Sequence, residues 1–132
     1  MQRKVIAGLG GILILAGASS AQTGPASGEQ QAAAGAQTYA GRCASCHGDK
    51  LAGGGGPALS GDAYWSHWNG RPARMLYDEI VSTMPMDDPG SLKPDEAISL
   101  VMFMQKANGG SVPATAVADP NALDAVKLEK GK

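Results

Sequence analysis

The feature that most constrains this chain is a run of five residues, Cys43-Ala44-Ser45-Cys46-His47. Two thiols separated by two residues fit on one helical turn, and an imidazole follows the second thiol directly. Each thiol can add to one vinyl group of a protoporphyrin, and a neutral imidazole is a good axial ligand for the iron. This order of residues is the attachment signature of c-type haem, so it predicts one covalent haem c with His47 on the iron.

Other uses of a Cys-x-x-Cys pair are dithiol redox chemistry and zinc binding. A structural zinc site needs four protein ligands, but the chain has only Cys43, Cys46, His47 and His67 to offer. His47 adjoins Cys46, so it would be a strained ligand to the same ion. A thioredoxin-like motif belongs to an alternating βαβ pattern, which this sequence lacks. Haem attachment is therefore favoured, with dithiol chemistry as an alternative.

The first 21 residues have the pattern of a cleavable signal peptide. Arg3 and Lys4 precede an apolar run over residues 5–18, and small residues at 19–21 suit cleavage after Ala21. An uncleaved anchor is less favoured, because the run is short and broken by glycines. Export to the periplasm agrees with haem attachment, since free thiols in an oxidising compartment tend to pair with each other.

Length and charge limit the number of domains and the classes of binding partner. The 132 residues predict one domain, over residues 30–110, between a flexible leader at 22–29 and a C-terminal extension at 111–132. We expect the extension to hold a linker and a short solvated helix over residues 121–129. Of the eleven Lys and Arg, two lie in the signal segment, which leaves nine against twelve Asp and Glu. This balance does not suggest nucleic-acid binding, which would need a basic stripe.

Hydrophobic periodicity predicts an all-α fold. Helices are expected over residues 30–41 and 72–83, and a largely buried last helix begins at Lys93 and stops before the Asn108-Gly109-Gly110 signal. In the middle helix an apolar residue recurs every four positions. That stripe consists of Leu76, Ile80 and Met84, widened by Met75, Tyr77 and Val81.

The segment after His47 contains four consecutive glycines, which exclude a helix or a stable strand. We expect this loop to let backbone pass close to the haem edge, since the Lys and hydroxyl residue of a phosphate-binding loop are missing. The carbonyl of Pro57 is expected to accept a hydrogen bond from the second ring nitrogen of His47. Leu59 is expected to make an apolar contact on the same face.

The segment after this loop contains two tryptophans, Trp65 and Trp68, with His67 between them. Trp65 is expected in the core, whereas Trp68 can direct its indole N–H to a haem propionate. His67 could be a second axial ligand, but an exposed or hydrogen-bonded histidine is the favoured interpretation.

Two methionines lie on the proline-rich loop that ends the middle helix. Met84 ends the apolar stripe, and its backbone is restricted by Pro85; Met86 follows two residues later. A thioether held on such a loop can bind the iron from the face opposite His47, which raises the reduction potential. The pattern leaves both residues open, and both can also be core filler.

Together these motifs resemble the class I c-type cytochromes of the small single-haem kind. They also resemble the cytochrome domains that partner or are fused to quinoprotein alcohol dehydrogenases. The likeness extends from about residue 35 to residue 109. The residues that carry it are Gly35, Tyr39, Cys43-Ala44-Ser45-Cys46-His47-Gly48, Gly56-Pro57-Ala58-Leu59, Trp68, Gly70-Arg71, Met84-Pro85, Pro89-Gly90-Ser91-Leu92, Phe103 and Asn108-Gly109.

The resemblance implies a cytochrome c fold of three to four main helices around one haem, with the first and last helices crossed. It gives Gly35, Tyr39 and Phe103 a packing role at that crossing. It places Pro57, Leu59, Trp68 and Arg71 around the haem. The methionine before the proline is the distal ligand in that family, which favours Met84 over Met86. The chain departs from the family at Lys93, where a Ser or Thr cap is usual, and in its longer glycine run.

The function implied is that of a periplasmic single-electron carrier, not an enzyme in itself, with haem c as its cofactor. Its expected partners are a donor dehydrogenase or respiratory complex and an acceptor protein. Neither nucleic-acid binding nor a membrane span in the mature chain is expected. The alternatives are a haem-based gas-binding or sensor module and a thiol–disulfide oxidoreductase.

Overall fold

The structure is a computed structural model, and it describes residues 24–132. The expected signal peptide and its cleavage after Ala21 lie outside these residues. Within residues 24–132 the regular structure is helical and includes no β-strand, as the sequence predicts. The helices are α1 (Gly28–Arg42), α2 (Ala44–His47), α3 (Asp62–Trp68), α4 (Ala73–Thr83), α5 (Pro94–Ala107) and a 3-10 helix (Pro120–Ala125).

The predicted helices agree with α1, α4 and α5. The helix α4 ends at Thr83 because the residue before Pro85 is driven into extended geometry, with a φ of −119° and a ψ of 151° at Met84. Lys93 is the N-cap of α5, and its backbone N–H donates to the Glu96 carboxylate at 2.9 Å. The glutamate therefore caps this end of the helix where the family's Ser or Thr is missing.

The leader expected over residues 22–29 ends earlier than predicted. Ser27 caps α1, and its hydroxyl accepts a hydrogen bond from the N–H of Gln30 at 3.2 Å. The N–H of Gly28 donates to the carbonyl of Pro113 at 3.0 Å, so the start of α1 is fastened to the C-terminal part of the chain.

The helices α1 and α5 pack at a glycine, as the resemblance implies. A Cβ on Gly35 would overlap the carbonyl oxygen of Ser99 and lie 2.8 Å from the Cβ of Phe103. One turn further on, the rings of Tyr39 and Phe103 lie with their centroids 5.2 Å apart. The missing side chain at position 35 thus allows the close approach of the two helices.

The apolar stripe of α4 faces the core but is narrower than predicted. Leu76, Tyr77 and Ile80 are buried, whereas Met75 is 45% exposed. Counted from the buried Ala73, these positions follow at three and four residues and again at seven, which is one face of a helix, and Met75 lies off that face. Helix α5 is largely buried, as expected.

The C-terminal strap, which we define as residues 112–129, differs most from the sequence expectation. Instead of a solvated helix over residues 121–129, a 3-10 helix over Pro120–Ala125 is followed by extended chain. Leu123 and Leu128 are fully buried, at 0% exposure. These two leucines anchor the strap in the core, so it is part of the packed fold.

Polar contacts fix the strap to three helices. The side chain of Gln31, buried on α1, donates to the carbonyl of Val117 at 2.8 Å and accepts from its N–H at 2.9 Å. Gln105 of α5 donates to the carbonyl of Glu129 at 2.9 Å. Next to α4, Pro72 pairs with Lys127 in an isolated antiparallel bridge. The strap therefore holds α1, α4 and α5 together from one side.

None of the helices in the described part of the chain is long and apolar enough to cross a membrane.

Candidate functional site

The two cysteines lie on the single turn that joins α1 and α2. The carbonyl of Cys43 accepts hydrogen bonds from the N–H groups of Cys46 at 3.1 Å and His47 at 2.9 Å. Cys43 is half-buried and Cys46 is exposed. One helical turn therefore carries all three side chains, the thiols of Cys43 and Cys46 and the imidazole of His47.

The imidazole of His47 is oriented by a backbone carbonyl. Its Nδ1 atom lies 2.8 Å from the carbonyl oxygen of Pro57, the hydrogen bond expected from the sequence. A carbonyl oxygen can only accept, so Nδ1 must carry a proton, and in the neutral imidazole the lone pair is then on Nε2. The side chain is only 7% exposed, so the ring orientation is fixed by packing as well. Such a carbonyl partner is typical of histidines that bind metals.

The glycine run passes directly along this histidine. The N–H of Gly56 donates to the carbonyl of Cys46 at 2.8 Å, and that of Gly53 donates to the carbonyl of His47 at 2.8 Å. A Cβ on Gly56 would lie 3.0 Å from Cε1 and 3.1 Å from Nδ1 of the His47 ring. A side chain at position 56 would therefore press on the imidazole, which would have to shift by a few tenths of an ångström.

The far end of the loop is closed by Leu51 and Asn108. The carbonyl of Leu51 accepts from the N–H of Leu59 at 2.8 Å, and the Asn108 amide donates to the carbonyl of Leu59 at 3.0 Å. The Asn108 side-chain oxygen also accepts from the N–H of Gly61 at 2.9 Å. Leu59 is partly buried against the core. The residue that stops α5 in the sequence therefore also fixes the loop that carries Pro57.

Among the aromatic residues of α3, Trp65 is buried and His67 is exposed, as the sequence suggests. Trp65 is buried, and its indole N–H donates to the carbonyl of Asn108 at 3.2 Å. His67 is exposed, and its ring packs edge-on against that of the partly buried Trp68 at 4.6 Å between centroids. The side chain of Arg71 is exposed. Within residues 24–132 neither Trp68 nor Arg71 has a side-chain hydrogen bond, so their polar groups are available to a ligand.

The two methionines on the loop after α4 have different surroundings. Met84 is partly buried, directly after the last turn of α4, and its N–H donates to the carbonyl of Ile80 at 2.9 Å. Met86 is 81% exposed. A thioether that is to enter an apolar site is better placed at Met84, because Met86 projects into solvent.

Two further contacts join the attachment turn to its neighbours, and neither was expected from the sequence. The hydroxyl of Tyr39 donates to the carbonyl of Gly48 at 2.7 Å. The guanidinium of Arg42 donates to the hydroxyl of Ser91 at 2.5 Å. A buried tyrosine usually forms a hydrogen bond through its hydroxyl, so the sequence could have suggested that Tyr39 has a polar partner, although not which one. The second joins residues 49 positions apart, for which the sequence carries no signal.

The electrostatics of Cys43 differ from those of an activated thiol. Burial raises the pKa of Cys43 above its ordinary value, and the neighbouring charge of Arg42 lowers it only in part. Dithiol redox enzymes instead use a thiol whose pKa is lowered. Cys43 therefore lacks the lowered pKa of a redox nucleophile.

The donor set fits a covalently attached haem. Two sulfurs one turn apart suit two thioether bonds, and an imidazole nitrogen with a free lone pair lies beside them. Glycine at position 56 leaves the imidazole in place, because a Cβ there would lie 3.0 Å from the His47 ring. No group of three or more His, Cys, Asp or Glu that could hold a separate metal ion occurs among residues 24–132.

Comparison with known proteins agrees with this assignment. A family model described as cytochrome C oxidase, cbb3-type, subunit III, matches residues 30–104. No curated protein sequence matches the chain. Among solved structures, the sulfane dehydrogenase SoxCD from Paracoccus pantotrophus is similar in fold, with a TM-score of 0.56 and 24% sequence identity. That match covers 92% of this chain and 68% of the other.

The family model spans more than half of the chain and includes the Cys-x-x-Cys-His run and Met84. It covers the glycine loop and most of the crossing helix α5 as well. The chain therefore belongs to this cytochrome family, and it is a class I c-type cytochrome, an electron-transfer protein that binds haem c covalently.

Proposed function

We propose that this protein is a periplasmic single-electron carrier whose haem is attached through Cys43 and Cys46. His47 and Met84 are the axial ligands of the iron in this proposal. The observation that carries it is the 2.8 Å hydrogen bond from His47 Nδ1 to the carbonyl of Pro57, which leaves Nε2 as the metal-binding atom. Bound haem supplies a one-electron Fe(III)/Fe(II) couple.

The protein's own residues prepare the site for this couple. The carbonyl of Pro57 holds the His47 ring in one orientation and one tautomer, so little reorganisation accompanies a change in iron charge. The backbone at Gly56 lies beside the same ring, which is only 7% exposed. A rigid ligand on one face is what an electron carrier requires, because it must change charge without changing structure.

The choice of Met84 is supported by its position and burial. It ends α4, and a buried anchor at Leu92 follows the loop, so the thioether is held between two fixed points. Met86 is exposed and lies beside two aspartates. A thioether ligand stabilises the ferrous state relative to a second imidazole and raises the potential.

Location and partners are part of the proposal. The pattern of residues 1–21 supports export, since it combines a basic start, an apolar run and small residues before the cleavage position. The solved structure with a similar fold is named as a sulfane dehydrogenase. We propose a dehydrogenase or respiratory complex as donor and a second redox protein as acceptor, with the exposed edge near Cys46 as the docking side.

Replacing the two methionines one at a time tests the proposal. The oxidised wild-type protein should show the weak far-red charge-transfer band of a methionine–iron bond. Met84→Ala should abolish the band and lower the reduction potential, whereas Met86→Ala should leave both unchanged. The reverse result would move the ligand to Met86 and refute this part of the proposal.

Carbon monoxide distinguishes a carrier from a gas sensor. The reduced wild-type protein should bind carbon monoxide slowly or not at all, because Met84 occupies the sixth position, and Met84→Ala should bind it rapidly. Rapid binding by the wild-type protein would favour the sensor module.

A further inference from the structure

The loop over residues 84–92 carries the proposed distal ligand and has few polar attachments. The N–H of Asp88 donates to the carbonyl of Pro85 at 2.9 Å, and the N–H of Ser91 donates to the carbonyl of Asp88 at 3.3 Å. Both bonds lie inside the loop. The side chains from Met86 to Ser91 are exposed, so packing holds this stretch only at its ends.

One hydrogen bond connects this loop to a distant part of the chain. The guanidinium of Arg42 donates to the Ser91 hydroxyl at 2.5 Å. Arg42 is the last residue of α1 and directly precedes Cys43. Within residues 24–132 it is the single hydrogen bond from residues 84–92 to anything beyond the loop and its flanking helices. It therefore connects the end of α1, next to Cys43, to the loop that carries Met84.

We propose that Arg42 and Ser91 are positioning residues that keep the Met84 loop closed over the haem. The inference rests on the proposed function, because it takes Met84 as the distal ligand. Neither residue touches the iron. Their hydrogen bond fixes the distance between the attachment turn and the loop, so the thioether stays within reach of the iron.

The physical effect follows from what must break when the loop opens. An external ligand can bind the iron only after Met84 has left, and its apparent affinity depends on the fraction of molecules with an open loop. Opening the loop breaks the bond between Arg42 and Ser91. This bond has a charged donor, which strengthens it, but it lies at the surface, which weakens it. Its loss should raise the open fraction about three- to tenfold.

Charge offers a rival explanation, because removing any cation near the iron changes the site's electrostatics. Ser91→Ala separates the two effects, since it removes the acceptor without changing the charge. Lys50→Gln is the matched charge control, because Lys50 is an exposed cation three residues beyond His47. Ser91→Thr keeps the hydroxyl and should rescue the wild-type behaviour.

The test is a titration of the oxidised holoprotein with imidazole, followed by the loss of the far-red methionine–iron band. Ser91→Ala should bind imidazole about three- to tenfold more tightly than the wild type. Arg42→Ala should show a similar gain, and the double variant should gain no more than either single one, because both remove the same bond. Lys50→Gln and Ser91→Thr should bind imidazole like the wild type.

The outcomes are distinguishable from failure of the proposed function. If the band is present and is lost in Met84→Ala, but Ser91→Ala binds imidazole like the wild type, the positioning role is wrong and the ligand assignment stands. If Arg42→Ala and Ser91→Ala are fully additive, the two residues do not act through one bond, and the inference is overturned. If Met84→Ala leaves the band intact, the ligand assignment and the inference both fail.

A general loosening of the fold is excluded by a second measurement. The bond to Arg42 is broken in the unfolded chain as well as in the open loop, so Ser91→Ala should lower the unfolding free energy by no more than it improves the free energy of imidazole binding. A loss of unfolding free energy well beyond the gain in imidazole binding would show a general loosening and contradict a local role.

Discussion

His47 and Gly56 are in contact: a Cβ at position 56 would lie 3.0 Å from the ring atom Cε1 of the histidine. The same Cβ would lie 3.1 Å from Nδ1, the atom that donates to Pro57, and 3.4 Å from Nε2. The glycine run is therefore fitted to the proximal histidine and is not merely a flexible connection.

Gly56→Ala should displace the imidazole by a few tenths of an ångström and destabilise the holoprotein by about 1–3 kcal/mol. The reduction potential and the hyperfine-shifted resonances of the His47 ring should change with it. The adjacent Gly55→Ala is the matched control, because a Cβ there meets nothing within 4 Å. Equal effects of the two variants would show that the contact with the ring does not matter.

Gly35→Ala should destabilise the protein by about 3 kcal/mol or more, measured by chemical unfolding. The new methyl group would overlap the backbone of Ser99, so α1 and α5 must move apart. Gly41 lies on the same helix and has open space around its Cβ position. Gly41→Ala should therefore stabilise the helix by up to about 1 kcal/mol, and a similar loss in both variants would contradict the crossing contact.

Leu123→Ala should cost about 2–5 kcal/mol of unfolding free energy, because the side chain is fully buried and its removal leaves a cavity. The exposed Lys127 of the same strap is the control, and Lys127→Ala should change the stability by less than about 0.5 kcal/mol. If Leu123→Ala unfolds like the wild type, the strap is not part of the cooperative fold.

The buried hydroxyl of Tyr64 should make the unfolding free energy depend on pH under alkaline conditions. Burial raises the pKa of Tyr64 above its ordinary value of about 10. The folded state thus keeps a proton that the unfolded chain loses, so this stability is fully present below about pH 10 and falls as the pH rises towards the folded pKa. Tyr64→Phe should flatten the decline in unfolding free energy above about pH 10. An unchanged slope would mean that Tyr64 ionises as easily in the folded protein.

Much of the fold followed from local patterns in the sequence. Helix α4 was predictable because its apolar residues recur at helical spacing and Pro85 forbids its continuation beyond Met84. The Cys43–His47 run carries its chemistry in five adjacent residues, and the partner of the His47 ring could be proposed because Pro57 follows at a short loop distance. These features depend on neighbours in the chain.

The features that escaped prediction depend on distant residues. Leu123 and Leu128 lie in short, non-periodic segments, so their burial shows only when the strap packs against the helices. The buried amide of Gln31 pairs with Val117 over 86 positions, and a glutamine in an alanine-rich helix gives no sign of this. The bond between Arg42 and Ser91 also joins distant surface residues, which hydrophobic patterns do not report.

Every proposal made for this protein depends on one haem bound through the sulfurs of Cys43 and Cys46. The direct measurement is the mass of the denatured protein after production in a host that matures c-type haem. The wild-type chain should carry the mass of one haem, and the Cys43→Ser/Cys46→Ser double variant should carry none. A denatured wild-type chain without added mass, or a double variant that still retains covalent haem, would rule out attachment through these two cysteines.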